Sequence, residues 1–428
     1  MKWKVQPSRL SGSITIPPSK SHTIRALLIA SLAEGRSVIH KPLLKGDGGS
    51  ALEAAKALGA QTELNNDDLI ITGIGNDFDA GDDFFNMGNS GTGTNLFASA
   101  AALGTRMRRF DGDDSLRSRP FRTILESLKN LGATYTTDNK QSDLPFTIQG
   151  PLRGGKTRIN GISSQYVSSL LLTCPLIRGA DSEFTVYNLH EKPYIELTLW
   201  WLDKQCICYE CSSDYSRFYV RANQCYKPFD MAVPSDFSSA TFAAVGAAIT
   251  NSSSVKLKGL DFTDPQGDKG VFEILENSGA KIEKEPDGVN VSGNRQLKGN
   301  VIDLNSMPDA LPAISVLACC SQGETRIINT GHARIKETDR ISVMQKELSR
   351  MGADIHETDD GLLIRQSKLH GANVHGHHDH RVVMALALAG MVAEGETVID
   401  TTEAAQVTYP GFVEDFGAIG ANIETIGS

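Results

Sequence analysis

Apolar residues come in runs of roughly four helical turns along this chain, and each run opens on small or acidic polar residues. These openings fall at positions 19–21, 89–92, 163–165, 235–239, 308–309 and 379–381. Ser, Thr, Asn and Asp at such places are N-cap residues, because their side chains accept from the unpaired N–H groups of a first helical turn. Most runs then stop at a glycine, Gly35, Gly104, Gly179, Gly323 and Gly395, with Asn251 in the fourth place. Glycine is the usual residue past a helix C-terminus because it enters the left-handed conformation without strain. A strand-like stretch follows each time, at 37–40, 107–110, 183–188, 254–258, 325–329 and 397–400.

A second ladder runs in phase with the first. Gly59-Ala60, Gly132-Ala133, Gly279-Ala280, Gly352-Ala353 and Gly420-Ala421 each follow a helical pattern, and Cys206-Ile207 holds the third place. The step is roughly 73 residues and shortens in the last interval. The pattern predicts an α/β chain of six like units, each helix, strand, helix, strand plus further short strands. Six units divide into two domains of three, with a seam at the Pro-containing stretch 227–234. The leading strand, 13–16, precedes the first helix and is expected to pair with the last copies. The expected domains are therefore 1–16 plus 232–428, and 17–231.

The chain has 428 residues, 40% hydrophobic and 22% charged, in the range of ordinary soluble globular proteins. Its N-terminus is polar, and its longest apolar run, 382–393, is too short to span a bilayer. These features point to a cytoplasmic protein with no membrane partner. A net charge of -9 argues against nucleic acid, so any anion must be bound by a local cluster. Seven cysteines in such a chain read as reduced thiols. Cys206, Cys208, Cys211 and Cys225 lack a second facing CxxC pair and a nearby histidine, so no metal is expected.

The densest local charge is at 331–340, Gly-His-Ala-Arg-Ile-Lys-Glu-Thr-Asp-Arg. Arg334, Lys336 and Arg340 stand close together there, which a chain favours only when something negative sits among them. If a helix starts near Glu337, then Glu337 and Arg340 share a face. Other cations gather at the helix starts: Lys20 and Arg25 in the first, Arg117 and Arg119 ahead of Pro120, and Arg381 in the last. The glycine-rich 89–94 lets backbone N–H groups approach a phosphate but lacks the lysine of a P-loop. His375, His377, His378 and His380 have carboxylate and arginine neighbours that suit anion binding better than a metal. If equivalent helices of both domains aim their N-termini at the seam, six sets of free N–H groups and positive dipole ends converge on an anion-binding cleft.

With these motifs in hand, the chain resembles the 5-enolpyruvylshikimate-3-phosphate (EPSP) synthase family over nearly its whole length. The resemblance rests on Pro-Ser-Lys-Ser…Arg (18–25), Asn-Ser-Gly-Thr (89–92), Arg119-Pro120, Ser-Ser-Gln (163–165), Lys-Pro-Tyr-Ile (192–195), Pro-Asp (308–309), Lys-Glu-Thr-Asp-Arg (336–340) and Asp-His-Arg (379–381). It implies the two-domain enolpyruvyl transferase fold, six βαβαββ repeats with three per domain and the active site in the interdomain cleft. It also implies transfer of the enolpyruvyl group of phosphoenolpyruvate to the 5-hydroxyl of shikimate 3-phosphate, without a cofactor or metal. By resemblance, Asp309 is the proton acceptor, and Glu337 and Lys20 handle protons at the methylene carbon. Arg340 and Arg381 clamp the carboxylate of phosphoenolpyruvate, while Lys20, Gly91, Arg119 and Gln165 hold its phosphate. Lys20, Ser21, Arg25, Ser163, Ser164, Gln165, Asp309 and Lys336 grip shikimate 3-phosphate, with Tyr194 beside its ring. The partners implied are phosphorylated small molecules only, bound by a monomer.

Five places depart from the family pattern. Asn95 stands for an arginine, Thr402 for a lysine, Glu191 for a serine and His332 for an asparagine, and Asp47-Gly48-Gly49 replaces an acidic-Thr/Val step. They leave room for transfer to a different acceptor or for a non-catalytic anion-binding homologue. The cell-wall relative acting on UDP-N-acetylglucosamine carries a cysteine in the loop corresponding to 110–119, and this loop has none.

Overall fold

The computed structural model describes residues 1–427 apart from 139, 140, 252, 294 and 295. Its repeat is most visible at six helix ends. Gly59, Gly132, Gly279, Gly352 and Gly420 take left-handed φ values from 86° to 114°, and Cys206 joins them at 56°. At each, the N–H donates to the carbonyl three residues back, and the next residue donates five back, as in Cys206 to Asp203 (3.0 Å) and Ile207 to Leu202 (2.9 Å). This double bond closes the orphan carbonyls of the helix end and turns the chain into a strand. Cys206 therefore fills a position that glycine occupies in every other copy.

Among the described residues the strands form six four-stranded sheets. Each has one parallel pair followed by two antiparallel pairings, as in Met107–Asp111, parallel to Phe84–Asn86 and antiparallel to Phe146–Gln149, which pairs in turn with Thr134–Thr137. Two sheets borrow their leading strand. Asp230–Ala232 leads the first copy's sheet beside Glu34–His40. Ser11–Thr15 leads the fourth copy's sheet, in register from Ser11↔Ser254 to Thr15↔Lys258. The leading strand thus pairs with the fourth copy, the first of the last three. The last sheet is completed instead by Lys2–Gln6, between Thr397–Ile399 and Asn422–Ile426.

The chain divides into unit 1, Met1–Ser19 with Pro234–Ser428, and unit 2, Lys20–Val233. The crossings fall two or three residues later than the sequence pattern placed them. Residues 17–19 belong to unit 1 because Ser19 N–H donates to Pro234 (2.8 Å) and Asp236 N–H to Pro17 (2.8 Å). Val233 belongs to unit 2 because its N–H donates to His40 (3.0 Å).

Each unit has its own apolar core. In unit 1 the helices Phe237–Ile249, Leu311–Cys320 and His380–Val392 pack on one another, and all residues of the first are buried. That burial explains why these helices are apolar all round, with each fully buried aliphatic side chain contributing about 1.5–3 kcal/mol. The run 382–393 is one of these core helices, and among the described residues no helix is long and apolar enough to cross a membrane. In unit 2, Gly91–Ala101 lies against both Lys20–Leu32 and Ser164–Thr173.

The expected helix stops are met only in part. Gly323 and Gly395 are left-handed, and Gly35 has φ 121° but lies inside the strand Glu34–His40. Gly104, Gly179 and Asn251 terminate nothing, since their helices end earlier, at Ala101, Thr173 and Ile249. Other devices do the work there: a 3-10 turn at Cys174–Leu176, and Thr250 Oγ1 donating back to Gly246 (2.7 Å).

Candidate active site

In unit 2 the expected site residues cluster at the N-terminal ends of three helices. Gly91 is the first residue of Gly91–Ala101, capped by Ser90, whose Oγ accepts from Gly93 N–H at 3.1 Å. A Cβ on Gly91 would lie 2.9 Å from Arg119 Nη1 and 3.7 Å from Gln165 Oε1. The glycine thus lets two polar side chains close over a helix N-terminus, where N–H groups and dipole favour an anion. Arg119 Nη2 donates to Asn89 Oδ1, and Asn95 Nδ2 donates to Gln165 Oε1 at 3.0 Å. Arg117 stays outside this group, paired with Asp111 (2.9 Å) and Asp114 (3.2 Å).

Lys20 Nζ pairs with the buried Asp47 at 3.1 Å. Arg25 is sealed within the helices. Its guanidinium donates to Thr198 Oγ1 (2.9 Å), the Ser21 carbonyl (3.0 Å), Ser168 Oγ (3.2 Å) and the Tyr194 carbonyl (3.3 Å). A guanidinium has about five N–H donors, and these four bonds tie Arg25 to the backbone of Ser21 and Tyr194. Burial pulls its pKa down to about 10, against the pull of Tyr194. Sequence reasoning missed Ser168 and Thr198. Their signal is positional, each lying four residues after a site residue, Ser164 or Tyr194, on the same helix face.

The third helix start carries an unexpected partner. Ser163 caps Ser164–Thr173 by accepting from Gln165 N–H (3.4 Å). Glu191 Oε2 accepts from both the N–H (3.2 Å) and the hydroxyl (2.8 Å) of Ser164.

In unit 1 the site is a network of carboxylates around buried arginines. The stretch after Glu324–Ile328 forms a 3-10 turn at Gly331–Ile335, and the helix begins only at Arg340. Glu337 lies in the turn before it, because Asp339 is the N-cap and accepts from Ser342 N–H (3.1 Å). Glu337 and Arg340 nevertheless pair at 2.6 Å. Arg340 also donates to Asp379 (2.8 and 3.2 Å) and to Asp309 (2.7 Å). Arg381 Nη2 reaches the other oxygen of Asp309 at 2.8 Å. Arg340 and Asp379 side chains are 1% and 0% exposed, while Asp309 and Glu337 keep 14% and 13%. Asp309 and Glu337 thus lie at the rim of the cluster, with the Asp379 carboxylate fully buried behind Arg340.

The electrostatics follow from that layering. Burial opposes charge on Arg340, but Asp379, Glu337 and Asp309 outweigh it and hold its pKa well above the usual value. Burial likewise pushes the Asp379 carboxyl up, and Arg340 overcomes it, so Asp379 titrates below the ordinary carboxylate range. Asp268, which the sequence reading did not single out, is buried beside them and accepts from Ser238. Burial first, then the Asp309 charge, raise it to about 7 despite Arg381. Arg334 lies apart from Arg340, paired with Asp339 and Glu357 at 2.9 Å each. Lys336 is half-buried in the turn beside Glu337.

Two expectations are corrected here. The histidines are not an anion site: His375 Nδ1 pairs with Asp400 (2.5 Å) and His377 Nε2 with the buried Glu347 (2.9 Å), while His378 is exposed and His380 buried. Among the described residues no group of side chains could hold a metal ion, at these histidines or at the cysteines. The first-turn N–H groups are not all open either. Asp236 accepts from Ser239 (2.9 Å) and Asp379 from Arg381 (2.9 Å), besides Ser90 and Glu191 in unit 2. Of the departures, Asn95, Glu191, His332, Thr402 and Asp47 are all buried.

Six like four-stranded units, with cations and carboxylates gathered at helix starts in both halves of the chain, are the frame of an α/β transferase. The model of the family described as EPSP synthase (3-phosphoshikimate 1-carboxyvinyltransferase) matches residues 4–416. The chain belongs to this family. It is 49% identical to the 3-phosphoshikimate 1-carboxyvinyltransferase of Acetivibrio thermocellus, over 99% of this chain and 100% of the relative. It is 48% identical to that of Ruminiclostridium cellulolyticum, over the whole of both. A solved EPSP synthase from Acinetobacter baumannii superposes with a TM-score of 0.83 at 28% identity, covering 99% of each chain.

Proposed function

We propose that this chain transfers the enolpyruvyl group of phosphoenolpyruvate to the 5-hydroxyl of shikimate 3-phosphate and releases phosphate. The observation that carries the reading is Asp309, reachable at the rim and held on both oxygens by Arg340 and Arg381, with Glu337 on the same guanidinium. The reaction needs a base for the hydroxyl proton, an acid for the methylene carbon and cations for two phosphates and a carboxylate. Asp309 takes the hydroxyl proton as oxygen bonds to the central carbon of phosphoenolpyruvate. Glu337 and Lys20 deliver a proton to the methylene carbon and remove one again as phosphate departs. Arg340 and Arg381 hold the carboxylate, and Gly91, Arg119 and Gln165 the phosphate. Ser21, Ser163, Ser164 and Lys336 hold the acceptor, with Arg25 fixing the first helix turn and Tyr194. No cofactor enters this scheme, and it proceeds in the cytoplasm with one copy of the chain.

The test is phosphate release from phosphoenolpyruvate in the presence of shikimate 3-phosphate. The wild-type chain should turn over, and Asp309→Ala should lose about 10²–10⁴ in rate in a sample that circular dichroism shows to be folded. No release at saturating substrates would overturn the reading. Release with another hydroxylated acceptor alone would reassign the acceptor, and calorimetric binding without turnover would mark a non-catalytic homologue.

A further inference from the structure

Glu191 is a residue whose conformation and surroundings both need a reason. It is 1% exposed and sits at φ 56°, ψ 43°, the left-handed region that non-glycine residues rarely take. It immediately precedes Lys192–Lys204 and does not cap that helix through its side chain. Its carboxylate is directed instead to the start of a different helix, where one oxygen accepts from the N–H and the hydroxyl of Ser164. A helix N-terminus with a backbone N–H and a hydroxyl directed at one point is the donor set that recognises a phosphate oxygen. Here the chain's own carboxylate holds that point.

We propose that Glu191 competes with the acceptor's phosphate for Ser164 and thereby sets the affinity for the phosphorylated acceptor. The inference rests on the reading above, in which Ser163 and Ser164 hold shikimate 3-phosphate. A carboxylate and a phosphate cannot share those two donors. Each gains from the N–H and O–H, and at contact distance their like charges repel strongly in a partly desolvated site. Acceptor binding must therefore move the Glu191 carboxylate off Ser164.

Two variants of the full chain test this. Glu191→Gln keeps an oxygen acceptor for Ser164 without the charge, and Glu191→Ser removes both, so a folded sample of either suffices. The KM for shikimate 3-phosphate should fall about tenfold, while kcat and the KM for phosphoenolpyruvate move less than about twofold. Calorimetry with shikimate 3-phosphate should show the same gain, and calorimetry with shikimate, which has no phosphate, should show none. An unchanged or raised KM, or an equal gain with both ligands, would overturn the inference. The calorimetric arm reads out even if the wild-type chain releases no phosphate, so failure of this inference is separable from failure of the proposed reaction.

Discussion

The Arg340→Met variant probes the unit 1 cluster most directly. Arg340 bonds three carboxylates at 2.6–3.2 Å from a side chain that is 1% exposed. Methionine fills much of the volume but supplies no donors. Asp379, 0% exposed, is left as a buried charge whose cationic partner is gone, and breaking a buried pair in this way costs roughly 3–5 kcal/mol. Domains are stable by only about 5–15 kcal/mol in total. The melting temperature should therefore fall by roughly 6–20 °C for a unit of this size.

The pH dependence sharpens the test. In the wild type, Asp379 titrates below its ordinary value because Arg340 outweighs burial. Its stabilisation is therefore complete above the unfolded value, near about 4, and is lost only as pH falls through the lower folded value. In the variant, burial acts without the guanidinium and pushes the same carboxyl up. The sign then reverses: stability is present at low pH and lost as pH rises from about 4 through the raised folded value. Urea unfolding at pH 5 and pH 8 measures this as the difference between variant and wild type. That difference should be larger at pH 8, by up to about 1.4 kcal/mol for each pH unit over which one carboxyl titrates. A deficit below about 1 kcal/mol, or one equal at both pH values, would refute the layered account of the cluster.

Gly91→Ala introduces a methyl group 2.9 Å from Arg119 Nη1. The KM for phosphoenolpyruvate should rise about tenfold, equivalent to about 1.4 kcal/mol, with little change in melting temperature; an unchanged KM would remove Gly91 and Arg119 from the phosphate assignment. Cys206→Gly relieves a left-handed φ of 56° at an exposed helix end. It should raise stability by about 0.5–1 kcal/mol in a urea titration, and a loss would show that the thiol makes contacts worth more than the strain.

What was legible in the sequence is what short-range chemistry writes. The cap residues Ser90, Ser163, Asp236 and Asp379 open helices where the pattern placed them, because a cap acts on N–H groups two or three residues away. The Gly-Ala ladder marked real helix ends for the same reason, and the phase of the repeat identified Cys206 without a glycine. Which of the last three copies the leading strand joins was not legible. Lys2–Gln6 alternates in burial and Ser11–Thr15 buries only Ile14, and nothing local distinguishes a partner some 240 residues away from one nearly 400 away. The glycines at 104 and 179 misled because a glycine shortly after a helix looks like its terminus even where a 3-10 turn ends it first.

The site divides along the same line. Which residues bear charge at the helix starts could be read directly, but which charge each one faces could not. Arg25 was visible as a cation, but its partners Ser168 and Thr198, which come to it from other helices, were not. The histidines at 375 and 377 were visible as a cluster, yet Asp400 and Glu347 decide their role. Here the net charge of -9 acquires a local meaning. Asp309 lies across Arg340 and Arg381 in unit 1, and Glu191 lies on Ser164 in unit 2. In both cases an acid of the chain itself engages donors assigned to a substrate's carboxylate or phosphate. Burying those cations is tolerable because they are compensated internally, and substrate binding is then an exchange of one anion for another. Affinity in such a site depends on how firmly the internal carboxylate is held, more than on how many cations are present.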